Sequence, residues 1–169
     1  MNSKQIILVL ESKSHNDSDY MYVRTFIRKQ LKDKTNIKNT SLPMNGKDNY
    51  NSKSLQSRIK QEIKKYKHGK SVVLIGYDTD NIDMVSKDDL YDKRITEFCK
   101  LKGYYPVFFC RDVEEVFLGK RISKNKTKEA IRFLRSGGID KIKTENFYSE
   151  NKRIGKSNLC LVLERVLQE

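Results

Sequence analysis

Val72-Val73-Leu74-Ile75-Gly76-Tyr77, followed at once by Asp78-Thr79-Asp80, is the stretch on which the reading of this chain turns. Its apolar residues are continuous rather than alternating with polar ones. That pattern fits a strand buried on both faces, as strands are in parallel sheets. A second run of the same kind, Ile6-Ile7-Leu8-Val9-Leu10, closes on Glu11. In open α/β sheets, ligands sit outside the carboxyl ends of the strands. Glu11, Asp78 and Asp80 therefore stand where such a sheet places its site.

Outward from these two runs, strands and helices alternate. Residues 5–11, 71–77 and 104–110 read as strands. In 20–31 the apolar residues Tyr20, Val23, Phe26, Ile27 and Leu31 recur at helical spacing. The polar stretch 12–18 reads as a loop that offers Asn16, Asp17 and Ser18 as a helix cap. Residues 32–53 are polar, with Pro43 and Gly46, and read as loop apart from a short strand near 40–42. Residues 54–67 read as a basic amphipathic helix and 88–102 as another, ended by Gly103. Further helices are expected at 112–118, 126–134 and 155–168, with an irregular polar segment at 140–153. The expected class is α/β, a mostly parallel central sheet flanked by helices. Its length of 169 residues suits one domain. The expected core covers about 5–120, and a helical extension covers about 121–169.

Lys and Arg number 35 against 22 Asp and Glu, a net charge of +13, and the isoelectric point is about 9.6. That balance favours a polyanionic partner such as nucleic acid. A Lys-rich solvated surface is the ordinary alternative. Cys99, Cys110 and Cys160 are far apart and show no metal-ligand spacing. They suit packing roles in a reducing, cytoplasmic setting. The histidines, His15 and His68, lie in polar stretches, which argues against zinc. No apolar run approaches the length of a membrane span. The chain enters its first strand at once, so no secretory signal is expected.

A strand-end Asp-x-Asp places both carboxylates on one side of the pleat if the strand reaches that far. Such hard oxygen ligands suit Mg²⁺ or Mn²⁺. Glu11 joins them if the two strands are neighbours, and two such ions can stabilise both the attacking and the leaving oxygen of a phosphodiester. Acidic residues are also common wherever strands turn into loops, which is the plain structural explanation of either motif alone.

The order strand–Glu11, helix, second unit, strand–Asp78-Thr79-Asp80 resembles the Toprim domain. It is most similar to the stand-alone RloB-like and OLD-type Toprim nucleases of bacterial defence systems. The resemblance covers about residues 5–120. Ser12 stands where the family usually has glycine after the glutamate, and the following loop is longer. The resemblance implies Asp78 and Asp80 as metal ligands and Glu11 as metal ligand or general acid/base. It also implies a further acid after a later strand. Glu114 in Arg111-Asp112-Val113-Glu114-Glu115 is the preferred residue and Glu115 the reserve; favourable placement of acids at a helix start is the competing explanation.

A phosphoryl site also needs positive charge. Lys156, read as opening the last helix, is a catalytic candidate. Lys120, Arg121, Lys124 and Lys128 are nucleic-acid-binding candidates, because Gly119–Arg135 holds seven Lys or Arg and one Glu. The chain has no room for the extra domains of topoisomerases or primases. It lacks the GxxxxGK[ST] of a nucleotide-binding loop, so any ATP use would come from a separately encoded ATPase partner.

The expected function is a Mg²⁺- or Mn²⁺-dependent nuclease acting on DNA or RNA, in phage defence or on a mobile element, with self-association left open. The alternative is a non-catalytic basic nucleic-acid-binding or regulatory subunit docked on an ATPase. Glycosyltransferases also use Asp-x-Asp but are longer. Phosphatases of the HAD type carry theirs on the first strand, where this chain has Glu11.

Overall fold

Four parallel strands form one sheet: β1 (Ser3–Leu10), β2 (Ile37–Pro43), β3 (Gly69–Asp78) and β4 (Tyr105–Phe109). The computed structural model describes residues 3–34, 36–79 and 88–169, with Asp88 and Asp89 in backbone only. The strand order is β2-β1-β3-β4. β1 and β3 are central and pair directly, with Leu8 opposite Leu74 and Val9 opposite Ile75. From Ile6 to Leu10 and from Val72 to Tyr77 every residue is buried. This is why these two runs show no polar alternation.

The helices are α1 (Ser18–Gln30), α2 (Lys53–Lys65), α3 (Asp88–Lys102), α4 (Val113–Leu118), α5 (Lys126–Arg135) and α6 (Leu159–Gln168). Alternate strand residues feed two separate cores. Ile6, Leu8, Leu10, Leu74 and Phe109 pack against α1, α4, α5 and α6. Ile7, Val9, Ile75, Tyr77 and Phe108 pack against α2, α3 and Tyr50 of a 3-10 turn at Lys47–Asn51. Burying each large aliphatic side chain contributes about 1.5–3 kcal/mol. The chain is α/β, with helices on both faces of a parallel sheet. Placing α1 on one face and α2 and α3 on the other follows from right-handed crossovers, because the path runs outward from β1 to β2 and then back across to β3 and β4.

Two segments differ from the sequence reading. β2 is longer than a short strand at 40–42. It is an edge strand whose Lys38 and Asn39 are exposed, so its apolar residues are confined to Ile37 at one end and Leu42 and Pro43 at the other. The last helix begins at Leu159 rather than at 155. The segment before it covers the outer edge of β4: Cys110 N donates to Lys156 O (2.9 Å) and Ser157 bridges Phe109. The Asn158 amide accepts from Phe108 N (3.0 Å) and donates to Pro106 O (3.2 Å). An uncovered edge would leave these backbone groups unpaired. Pro106 is tolerated because β4 is the last strand of the sheet. All three cysteines are buried and free. Among the described residues, no helix is long and apolar enough to cross a membrane.

Candidate metal centre at the strand switch point

The path reverses at β1. The strand that follows β1 lies on one side of it, and β3 lies on the other. The carboxyl ends of β1 and β3 therefore flank the topological switch point, where this architecture opens a crevice. Glu11 and Asp78 occupy those two ends. The Glu11 carboxylate accepts a hydrogen bond from Asp78 N at 3.2 Å. Two acidic residues 67 positions apart are thus brought side by side by the β1–β3 pairing.

The surrounding turns are zipped together. Met44 N donates to Leu10 O (2.8 Å), Asn45 N to Ser12 O (3.0 Å) and Gly46 N to Glu11 O (3.2 Å). The turn needs left-handed backbone at Asn45 (φ 62°) and at Gly46 (φ 120°), the second a conformation that favours glycine. Ser12 has no positive φ, so the backbone at this position does not require glycine. On the other side, Thr79 N donates to Phe109 O (3.0 Å), and Arg111 N to Thr79 Oγ1 (3.1 Å). β3 ends at Asp78. Asp80, the second acid of the Asp-x-Asp, lies outside the described residues, as do Asn81 and Asp83.

Asp17 occupies the N-cap position of α1 but does not cap it by its side chain. Its carboxylate instead accepts from Lys13 N (2.6 Å) and Ser14 N (3.0 Å), closing the loop that leaves Glu11. Burial raises the Asp17 pKa, but these hydrogen bonds outweigh it and the net shift is downward. Above the loop, the Tyr20 hydroxyl accepts from Leu10 N (2.9 Å) and donates to Leu42 O (2.6 Å), tying the ends of β1 and β2.

Glu114 stands in a different group. It is fully buried and accepts from Ser18 Oγ (2.8 Å) and Lys126 Nζ (2.9 Å). Asp19 lies beside it in the first turn of α1. Burial, reinforced by the charge of Glu114, pushes the Asp19 carboxyl up to about 6. Burial lowers Lys126, but the hydrogen bond and charge of Glu114 outweigh it and hold its pKa above the usual value. The Tyr22 phenol, buried without a hydrogen-bond partner, is raised by burial and by the charges of Glu114, Glu129 and Asp19. Asp112 caps α4 through Glu115 N (2.8 Å) and meets Arg121 at 3.4 Å. Glu115 is buried against Arg111 at 3.4 Å.

The remaining cationic candidates divide by placement. The Lys156 ammonium donates to Asn146 Oδ1 (2.7 Å), and its residue precedes α6 rather than opening it. Lys120, Arg121, Lys124 and Lys128 are exposed on the α4–α5 connection and the first turn of α5. Among the described residues, no group of three or more His, Cys, Asp or Glu side chains is placed to hold a metal ion. The described part of the centre is the Glu11–Asp78 pair, whose donors are all oxygen and match a hard divalent cation.

Two elements of the site carry no sequence signal. Tyr91 of α3 donates through its hydroxyl to Lys47 O (2.8 Å), and the Lys47 ammonium lies 4.4 Å from the centre of the Tyr91 ring. Burial and then the charge of Glu11 raise the Tyr91 phenol. Neither residue belongs to a motif; only the fold brings 47 and 91 to the same turn. The pairing of Glu114 with Ser18 and Lys126 is equally silent in sequence, since Ser18 and Glu114 are 96 positions apart.

Comparison with family models, with curated proteins and with solved structures finds no match to this chain.

Proposed function

We propose that this chain is a Mg²⁺- or Mn²⁺-dependent nuclease of Toprim type, which hydrolyses phosphodiester bonds of DNA or RNA at the Glu11–Asp78 crevice. The observation that carries the proposal is the Glu11 carboxylate 3.2 Å from Asp78 N at the switch point of the sheet. A pair of carboxylates in a chain of net charge +13 is a local exception to the surrounding sign. Such an exception suits a cation that in turn attracts a polyanion. When bound, the divalent ion supplies charge neutralisation at the scissile phosphate and acidifies water. Glu11 and Asp78 hold it from two adjacent strands, with Asp80 as the expected third ligand. Glu11 is also the proposed general base toward water.

The substrate is steered by the cationic surface. Lys120, Arg121, Lys124 and Lys128 are its proposed contacts, and their effect is salt-dependent and independent of sequence. Asp112 draws Arg121 toward α4, and Glu114 ties the half-exposed Lys126 into an ion pair. Lys120, Lys124 and Lys128 are therefore the more outward members of the basic tract. The proposed setting is phage defence or a mobile element, with a separately encoded ATPase as the partner that supplies nucleotide use.

The test is cleavage of plasmid, single-stranded DNA and total tRNA in Mn²⁺ and Mg²⁺ by the wild type and by Glu11→Gln. Metal-dependent cleavage that Glu11→Gln lacks, with its far-ultraviolet spectrum unchanged, supports the proposal. Equal cleavage by both proteins, or none by the wild type on any substrate, counts against it. Retained binding without cleavage would favour a non-catalytic nucleic-acid-binding subunit.

A further inference from the structure

We infer that the outer stripe of α2, with Tyr66 at its end, binds single-stranded nucleic acid. It is a second polyanion surface, on the face of the sheet opposite α5. Residues 53–70 hold seven Lys or Arg and one acid, Glu62. Glu62 is paired with Lys65 (2.7 Å), and Arg58 donates to the Pro43 carbonyl (3.0 Å). Lys53, Lys60 and Lys64 are exposed and stand seven and four residues apart, so they share the outward stripe of the helix. No Asp or Glu lies three or four residues from Lys60 or Lys64. These two lysines are themselves four apart, a like-charge spacing that weakens a helix. A lipid-binding amphipathic helix needs its apolar face free. Here Leu55 and Ile59 are buried in the core, so α2 offers charge rather than an insertable face.

Tyr66 makes this stripe suit unpaired bases. It ends α2 in extended backbone (φ −85°, ψ 107°) and is half-buried. The exposed Lys38 brings its ammonium 5.8 Å from the centre of the ring, and His68 meets the ring edge-on at 5.9 Å. An unpaired base can stack on the ring in place of that ammonium. Lys38 and the exposed Lys67 then serve the flanking phosphates. A duplex keeps its bases in its own stack and presents phosphates alone.

The stripe also has a direction. α2 follows the Lys47–Asn51 turn, and Gly46 N, just before that turn, is bonded to Glu11 O (3.2 Å). α2 ends where β3 begins, and the 10 residues of β3 run about 30 Å back to Asp78. Lys53 is thus at the crevice end of the stripe and Tyr66 at the far end. A single strand lying along it leads away from the Glu11–Asp78 pair. Its use in guiding substrate rests on the nuclease reading; the binding itself does not.

The experiment measures binding of fluorescein-labelled oligo(dT), oligo(U) and a DNA duplex of the same length, in EDTA and across a salt series. Phosphatidylserine vesicles are the further probe. Lys60→Gln/Lys64→Gln keeps good helix formers and removes a repulsion, so the variant should fold. It is expected to reduce the slope of log affinity against log salt on the single strands by about 1.4, two contacts at about 0.7 each. Tyr66→Leu should weaken the single strands about 10-fold, keep the slope and leave duplex affinity unchanged. That unchanged duplex affinity separates lost stacking from a lost fold. Tyr66→Phe, which keeps the ring, should bind as wild type, and so should Glu11→Gln. Wild-type affinity and slope in Lys60→Gln/Lys64→Gln would overturn the inference. So would single-strand binding untouched by Tyr66→Leu, or a wild type that binds the vesicles alone or no probe. Single-strand binding that depends on α2, in a protein that cleaves nothing, would support this inference while counting against the nuclease reading.

Discussion

Asp19 gives the sharpest quantitative test of the buried charge cluster beside α4. Its carboxyl is raised from 3.8 to about 6, chiefly by burial and then by Glu114. The native state therefore holds the Asp19 proton more tightly than the unfolded chain does. The resulting stability is fully present below about pH 4 and is lost as pH rises through about 6. The displacement spans about two pH units, each equivalent to about 1.4 kcal/mol, so the loss is at most about 3 kcal/mol. Asp19→Asn keeps an oxygen for the Ser18 hydroxyl, which lies 3.4 Å from Asp19 Oδ1, and removes the titration. Urea unfolding at pH 4.5 and 7.5 measures the effect. The difference between wild type and variant cancels carboxylates of opposite sign, such as Asp17, whose lowered pKa adds stability that is lost in acid. The variant should gain up to about 2 kcal/mol on the wild type at pH 7.5 relative to pH 4.5, since part of the effect is already lost at pH 4.5. An equal pH dependence in the two proteins would refute the cluster as described.

Two further predictions concern the frame that holds Glu11 and Asp78. Tyr20→Phe leaves Leu10 N and Leu42 O without the hydroxyl that joins them; it should cost about 1–3 kcal/mol in chemical denaturation, and an unchanged midpoint would contradict the role given to that hydroxyl. In Gly76→Ala the new methyl meets Leu10 Cδ2 at 2.4 Å and Phe109 Cε2 at 3.2 Å inside a full core. Overpacking of this kind costs about 1–3 kcal/mol, and a neutral substitution would show that the β1–β3–β4 layer is looser than its geometry.

The parallel sheet was legible because β1 and β3 are central: burial on both faces writes itself as an unbroken apolar run. The same logic hid β2, an edge strand whose exposed Lys38 and Asn39 look like loop. It also hid the cover over β4, since an Asn158 amide clasping Phe108 N and Pro106 O has no periodicity. Glu11 and Asp78 were legible as strand-end acids, and their adjacency required only that β1 and β3 be neighbours. Glu114 illustrates the limit. A glutamate in the first turn of a helix reads alike whether it faces a ligand or a lysine. Its partners Ser18 and Lys126 come from α1 and α5, and packing chose them. Lys47 was hidden for the same reason, its position being set by a ring from α3.

The central claim is that Glu11 and Asp78 together hold a divalent ion, and Mn²⁺ binding followed by electron paramagnetic resonance tests it without a substrate. The wild type should withdraw Mn²⁺ from the free-ion signal to a saturating end point. Glu11→Gln/Asp78→Asn, folded by circular dichroism, should leave that signal as in buffer. Equal binding by the two proteins, or none by the wild type, would contradict the account.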